Sequence, residues 1–275
     1  MIKYDIDYGI LLDLPKVELH LHLDCSLSFN IVSELRPEIT LEDYNRDFIV
    51  PPKCDDLADF LQRASSGISL MQTEYELEAV VQDLFDQLKK DNVILAEIRF
   101  APLLHCEKGL AAECVVEIVA NHTKLCSEKF GIEAGIILCT LRHFNESQSL
   151  KTVKLVQKYF SNSPVIGFDL AADEAGYPID AHCKAFQYAI DNNIPRTAHA
   201  GEAKGADSIR ETLKYFNSSR IGHGVRCIEE PKLIDELIKN NIHLEICPSC
   251  NIQTDVFKYY QDHPVDYLYK GGVSV

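Results

Sequence analysis

Short apolar runs alternate with longer amphipathic stretches along this chain. Apolar residues at helical spacing lie between the runs, most clearly over 113–128 and 230–240. Strand–helix alternation repeated this often is typical of a parallel α/β sheet, and it favours a (β/α)₈ barrel over an open doubly wound sheet. We predict one barrel domain over residues 1–275, with its eighth strand cut short at Val275. The runs that predict strands are 17–24, 95–102, 133–141, 165–173, 195–202, 219–225, 242–248 and 271–275.

One connection is far longer than an ordinary loop between a strand and a helix. Residues 25–94 separate the first two predicted strands and hold two amphipathic segments. In the first segment Leu57, Phe60 and Leu61 share one helical face, and residues 74–90 form the second. Active sites of barrels lie at the carboxyl ends of the strands, where this connection emerges. We therefore predict that residues 25–94 form a helical lid over the site.

The net charge of the chain limits the kinds of molecule that it is expected to bind. The chain has 27 basic and 42 acidic residues and a net charge of −15, which disfavours nonspecific binding to nucleic acid or anionic membranes. No apolar run is long enough to cross a membrane, and "MIKYDIDYGI" lacks the basic start of a signal peptide. The ten cysteines are scattered through predicted elements, as expected for reduced thiols. We expect a cytoplasmic protein with a small-molecule partner; the sequence gives no indication of oligomeric state.

The first predicted strand carries ionisable side chains on one face. In "KVELHLHLDCS" the residues Glu18, His20, His22 and Asp24 occupy every second position, so they point the same way. Burying such groups costs several kcal/mol unless something pairs with them. A bound metal ion would offset that cost. Two histidines at this spacing are by themselves only a weak indication of a metal site.

Two later strands end in further polar residues. His199 and Glu202 lie in "HAGE" after the fifth strand, and His223 lies in "GHG" after the sixth. Alone, His199 could be a core histidine and Glu202 a helix cap. Barrel geometry brings these strand ends to one face, and neutral imidazoles suit Zn²⁺. The pair in "CPSC" (247–250) could mark a zinc knuckle or a redox site, but no second pair exists, and a loop turned by Pro248 is the simpler interpretation.

The motifs together resemble the adenosine deaminase family of the amidohydrolase superfamily. "VELHLHLD", "EIRFAP", "GFDLAADE", "HAGE", "IGHGV" and "EICPSCN" follow one another in that family's order, from about residue 15 to the last residue. The resemblance implies a (β/α)₈ barrel with a helical lid and one Zn²⁺ per chain. It implies hydrolytic deamination of adenosine, and of deoxyadenosine, to inosine and ammonia by a zinc-activated water.

The resemblance also implies roles for the residues at the strand ends. His20, His22 and His199 look like the zinc ligands. Glu202 looks like the acid that protonates purine N1, and His223 like the histidine that orients the attacking water.

Substrate contacts are implied by the same resemblance. Asp24 looks like the residue that binds the ribose 5′-hydroxyl, whereas related enzymes for free adenine tend to carry glutamate there. Ala172 occupies the position of a backbone donor to the purine. The contacts expected around the base are completed by His22 and by the lid residues Leu57, Phe60 and Leu61.

The chain departs from the family pattern in four places. Cys25 and Ala172 stand where glycine is usual, and Cys250 stands where many members have serine. The family's eighth strand delivers an aspartate zinc ligand and a neighbouring acid shortly after "GVSV", so we expect the native chain to continue past Val275. Two alternatives stay open: a deaminase of another aminopurine, such as adenine or a modified adenosine, and a truncated, non-catalytic barrel that binds nucleosides.

Overall fold

The computed structural model describes residues 8–275, and parallel strands form its centre. Each strand overlaps a run that the sequence pattern predicts, and the predicted barrel class is confirmed by these strands and by the related structures described below. The strands are β1 (Lys16–His22), β2 (Val93–Phe100), β3 (Glu133–Leu141), β4 (Val165–Ala171), β5 (His199–Ala200), β6 (Arg220–His223) and β7 (His243–Glu245).

The strands follow one another in chain order around the barrel. β1 to β4 form one ladder and β5 to β7 a second, and a bridge from Phe168 to Arg196 connects the two. The predicted strand over 271–275 contributes a single parallel bridge, from Ser274 to His243. Within residues 8–275 no ladder joins β1 to this last segment, so a gap separates them. The carboxyl ends of β1, β5 and β6 still meet at one mouth.

Helices surround the strands and cover the mouth of the barrel. None of the helices within residues 8–275 combines the length and apolar character needed to cross a membrane. They are α1 (Tyr8–Asp13), α2 (Phe29–Leu35), α3 (Leu41–Asp47), α4 (Leu57–Ser69), α5 (Glu74–Lys90), α6 (Ala112–Phe130), α7 (Glu146–Tyr159), α8 (Cys183–Asp191), α9 (Ala206–Phe216), α10 (Pro231–Lys239), α11 (Pro248–Gln253) and α12 (Val265–Lys270). Short 3₁₀ turns lie at Leu23–Cys25, Pro102–His105, Asp180–His182, Val225–Glu229 and Tyr260–Asp262.

Local sequence signals set several helix ends. The Thr73 side chain accepts a hydrogen bond from the Glu76 backbone N–H at the start of α5. Asn145 and Gln148 form a reciprocal capping box at the start of α7. Helix α6 is followed by Gly131, whose φ of 66° is the left-handed conformation that glycine adopts without strain. Caps of this kind each stabilise a helix by about 1 kcal/mol, so these boundaries are readable from local sequence.

The core lies between the strands and the outer helices. Its largest apolar side chains are fully buried aromatic rings, and the rings of Phe186 and Phe216 stack with centroids 3.7 Å apart. Burying one such ring contributes about 1.5–3 kcal/mol relative to leaving it exposed. Helices packed this tightly hold the strand ends in place, and the site is built on those ends. The buried phenylalanines are Phe85, Phe100, Phe168, Phe186 and Phe216.

Within the predicted lid region, helix α4 borders the cavity at the mouth of the barrel. Just before α4, the backbone N–H of Cys54 donates to the Gln253 carbonyl across 2.8 Å, which ties the lid to the end of α11. Leu57, Phe60 and Leu61 of α4 line the cavity beneath it, on the face that their spacing predicts.

Helix α5 lies outside the lid, although the prediction of a lid over 25–94 included it. Its residues Leu77, Val81 and Phe85 are buried in the main core, and it packs against α6 and α2. Neighbouring parallel strands need a crossover helix between them, and α5 is that helix between β1 and β2. The lid is therefore shorter than its predicted range.

Candidate active site

Four imidazoles from three strands meet at the mouth of the barrel. The ring centroids of His20 and His199 lie 4.5 Å apart, those of His20 and His223 4.8 Å, and those of His22 and His199 5.3 Å. The Nε2 atoms of His22 and His199 are 3.2 Å apart. A Cβ added at Gly222 would stand 2.9 Å from Cε1 of His20, so the glycine of "GHG" makes room for this cluster. The structure thus brings together the histidines that the sequence singles out.

Two buried carboxylates hold these rings from behind. Glu245 Oε2 lies 2.7 Å from Nδ1 of His20, and Asp169 Oδ2 lies 3.1 Å from Nδ1 of His199. The fully buried guanidinium of Arg99 joins both carboxylates, at 2.6 Å from Glu245 and 3.0 Å from Asp169. Burial, and then the Arg99 charge, lower the pKa of His20 well below its usual value. An imidazole whose Nδ1 is engaged leaves Nε2 for a metal ion, so this donor set fits zinc.

Sequence reasoning assigned no role to the residues behind the histidines. Arg99, Asp169 and Glu245 all lie in the motifs "EIRFAP", "GFDLAADE" and "EICPSCN". Arg220 extends the network, because its Nε donates to Glu245 Oε1 at 2.8 Å and its Nη2 lies 2.5 Å from Glu97 Oε2. Each of the five is a charged residue within a β-strand, which is the signal that could have found them.

Glu174 fixes the loop that carries the predicted proton donor. Its buried carboxylate accepts the backbone N–H groups of Gly201, Glu202 and Lys204 at 2.7, 3.0 and 2.9 Å, and the Ser208 hydroxyl at 2.5 Å. Gly201 adopts a φ of 71°, which permits this tight turn. Charge-assisted bonds to successive N–H groups hold the loop in a single conformation. The sequence shows Glu174 only as the last residue of "GFDLAADE".

The side chain of Glu202 is buried beside the histidines. Its Oε2 lies 3.4 Å from Nε2 of His223, and its Oε1 lies 3.4 Å from Sγ of Cys250, which donates to it. Burial raises the pKa of Glu202 to about 7. Burial also raises the pKa of the Cys250 thiol, followed by the effect of the nearby Glu202 charge, so the thiol is a neutral donor. A carboxylic acid that keeps its proton near neutral pH suits a general acid.

His223 is held in an uncommon backbone conformation. Its φ is 62°, and the following Gly224 has a φ of 64°. A side-chain-bearing residue in this region costs about 1–3 kcal/mol and persists where its surroundings impose it. Here the Asn251 side chain lies 3.1 Å from Nδ1 of His223 and is itself 3.2 Å from Nε2 of His263. These contacts aim Nε2 of His223 toward Glu202.

The predicted catalytic and base-binding residues line one cavity of about 840 Å³. Ala172 lies on its wall with a φ of 77°, the left-handed conformation that explains why glycine is usual in the family motif. The alanine therefore carries backbone strain as well as the extra methyl group. The predicted residues on the cavity wall are His20, His22, His199, His223, Glu202, Ala172, Leu57, Phe60 and Leu61.

Asp24 lies apart from these residues. It lines a smaller neighbouring cavity of about 90 Å³, behind Phe60 and Leu61. Burial raises the pKa of Asp24 to about 6. Cys25, Phe60 and Leu61 border both cavities, so Asp24 and the histidines line neighbouring cavities that share these three residues.

The structure also shows what surrounds the two thiols of "CPSC". Pro248 opens helix α11, as the interpretation of a turned loop requires, and Cys247 donates to the Glu245 carbonyl at 3.5 Å. Both Cys247 and Cys250 border the main cavity.

A parallel barrel with imidazoles, a protonated acid and buried carboxylates at its strand ends has the architecture of an amidohydrolase. The sequence matches the family model described as "Adenosine deaminase" over residues 15–275. It is 35% identical to an adenosine deaminase from Clostridium acetobutylicum over 272 residues, covering 96% of this chain and 81% of that protein. The chain belongs to the adenosine deaminase family, hydrolases that act on a purine C–N bond.

Solved structures have the same fold. An adenine deaminase from Arthrobacter aurescens superposes with a TM-score of 0.84 at 28% identity, covering 94% of this chain and 80% of that chain. An amidohydrolase from Burkholderia ambifaria, solved with bound zinc, superposes with a TM-score of 0.88 at 18% identity, covering 99% and 77%. At that lower identity the likeness concerns the fold alone.

Proposed function

We propose that this protein is a zinc-dependent deaminase that converts adenosine, and deoxyadenosine, to inosine and ammonia. The observation that carries the proposal is the pairing of Glu202, whose pKa is raised to about 7, with the imidazoles of His20, His22, His199 and His223 around one cavity. Hydrolysis of an aminopurine requires an acid, a proton carrier and a set of nitrogen ligands for a metal ion.

The metal ligands in this proposal are His20, His22 and His199. Support comes from the carboxylates that hold Nδ1 of His20 and His199. When bound there, zinc supplies Lewis-acid chemistry that lowers the pKa of water toward ~7.

Proton transfers follow from the positions of Glu202 and His223. The aromatic ring resists attack by water, so Glu202 donates its proton to N1 and draws electron density away from C6. His223 orients the water and takes one of its protons as the oxygen bonds to C6. The amino group then leaves as ammonia with one proton of the water, and the other restores Glu202. N1 keeps the donated proton in the product, as inosine requires.

The substrate lies beneath the lid in this proposal. The base contacts His22 and the backbone at Ala172, and Leu57, Phe60 and Leu61 exclude water above it. Asp24 receives the ribose 5′-hydroxyl once Phe60 and Leu61, which border both cavities, shift around a bound nucleoside. A lid helix is the kind of element that makes such a movement.

A second candidate substrate is free adenine. The similarity to the adenine deaminase from Arthrobacter aurescens, at 28% identity, favours it. The aspartate at position 24 favours the nucleoside, because related enzymes for free adenine tend to carry glutamate there.

Ultraviolet absorbance separates these possibilities. Protein loaded with zinc is mixed with adenosine, deoxyadenosine or adenine, with and without a chelator. We expect turnover of both nucleosides that the chelator abolishes, and a loss of ~10²–10⁴-fold in kcat for Glu202→Gln with its zinc retained. Near-normal turnover by that variant would remove Glu202 from the mechanism. Turnover of adenine alone would favour the second substrate, and no turnover by the zinc-loaded protein would favour a non-catalytic nucleoside-binding barrel.

A further inference from the structure

Glu202, His223 and Cys250 form a compact set of three different donors. Glu202 Oε1 and Cys250 Sγ are 3.4 Å apart, Glu202 Oε2 and His223 Nε2 are 3.4 Å apart, and the three ligand atoms all lie within 4.8 Å of one another. Ligand atoms 2.0–2.3 Å from a tetrahedral ion stand about 3.3–3.8 Å apart. Each Glu202 oxygen already lies at that distance from one of the other two donors, and the longest separation in the set, within 4.8 Å, needs a closure of about 1 Å.

The chemistry of this set differs from that of the zinc ligands proposed above. It offers one carboxylate, one imidazole and one thiol, whereas the zinc ligands are imidazoles alone. A thiolate favours soft cations such as Cd²⁺ and binds Zn²⁺ well. Glu202 and His223 are buried, and Cys250 is partly buried, so an ion there would be shielded from solvent.

We propose that Glu202, His223 and Cys250 bind a second divalent cation, Zn²⁺ or Cd²⁺, when it is present in excess of the catalytic ion. The cation bonds to the Cys250 sulfur as the thiol proton leaves to solvent, and it occupies the Glu202 oxygens that would otherwise carry the catalytic proton. The cation is therefore an inhibitor; this consequence rests on the proposed deaminase function, whereas the site itself does not.

A cadmium titration of the zinc-loaded protein tests the site directly. A cation bound to Cys250 produces the ultraviolet charge-transfer band of a cadmium–thiolate bond, while cadmium that replaces zinc on histidines alone produces none. Cys250→Ser keeps a hydrogen-bond donor to Glu202 but removes the soft ligand. Cys247→Ser is the matched control, because Cys247 borders the same cavity and donates to a backbone carbonyl instead.

We expect the band in the parent protein and in Cys247→Ser, and its loss in Cys250→Ser. Cadmium should inhibit adenosine turnover with the same midpoint as the band, and Cys250→Ser should need a cadmium concentration more than ~10-fold higher for half inhibition. A Cys250→Ala variant provides the same comparison if the serine variant fails to fold.

A band unchanged in both Cys250 variants would overturn the site, as would the absence of any band at millimolar cadmium. The band is read without substrate, so a protein that shows it but does not deaminate adenosine would refute the proposed function and leave the site standing. Inhibition with equal midpoints in parent and variants would refute the inhibitory role.

Discussion

The Glu174 carboxylate holds the loop that carries Glu202, and Glu174→Gln measures how much the reaction depends on it. Oε1 accepts the Gly201 N–H and the Ser208 hydroxyl, and Oε2 accepts the Glu202 and Lys204 N–H groups. Glutamine replaces one oxygen with an amide NH₂, which is a donor. With the NH₂ at the position of Oε2, two backbone N–H groups would lose their acceptor.

The other orientation of the amide is less costly. The Ser208 hydroxyl can turn and accept from the NH₂, which leaves only the Gly201 N–H facing a donor. One buried, unpaired donor costs about 1–3 kcal/mol. If the loop relaxes and the transition state loses that much stabilisation by Glu202, kcat falls by about 5- to 160-fold, since 1.36 kcal/mol corresponds to a factor of ten.

Steady-state kinetics with adenosine and elemental analysis for zinc test this prediction together. We expect a lower kcat, with KM and zinc content close to the parent values, because His20 and His22 lie on another strand and Asp169 holds Nδ1 of His199. Glu211→Gln is the matched control, since Glu211 is exposed on helix α9 beside the same loop. A folded Glu174→Gln variant whose kcat stays within about twofold of the parent would refute a positioning role for this carboxylate.

Three further predictions follow from the proposed roles. Because Glu202 is active as the protonated acid and its pKa is raised to about 7, kcat/KM should fall as pH rises above about 7, and a pH–rate profile of Glu202→Gln should lack that alkaline limb. Elemental analysis should find about one zinc per chain in the parent and sharply less in His20→Ala and His199→Ala, and unchanged zinc in both variants would reject these ligands. Asp24→Ala should impair adenosine turnover more than adenine turnover, and equal losses would mean that Asp24 does not contact the ribose.

Much of the site is determined by the sequence alone. The period of two along β1 places His20 and His22 on one face, and the motifs around His199 and His223 end two later strands. The apolar spacing of helix α4 likewise predicts which lid residues face the cavity. These features depend on near neighbours in the chain, so local periodicity and turn chemistry are enough to predict them.

The tertiary structure alone decided which charges meet. Arg99 and Glu245 are separated by 146 positions, and Glu174 accepts N–H groups from a loop 27 to 30 positions later. Periodicity shows which face a side chain occupies, but its partner on another strand depends on register and on how the helices pack the barrel closed. The packing of α5 in the main core and the position of Asp24 in the smaller cavity beside Phe60 could not be predicted for the same reason. Both are decided by contacts between segments far apart in sequence.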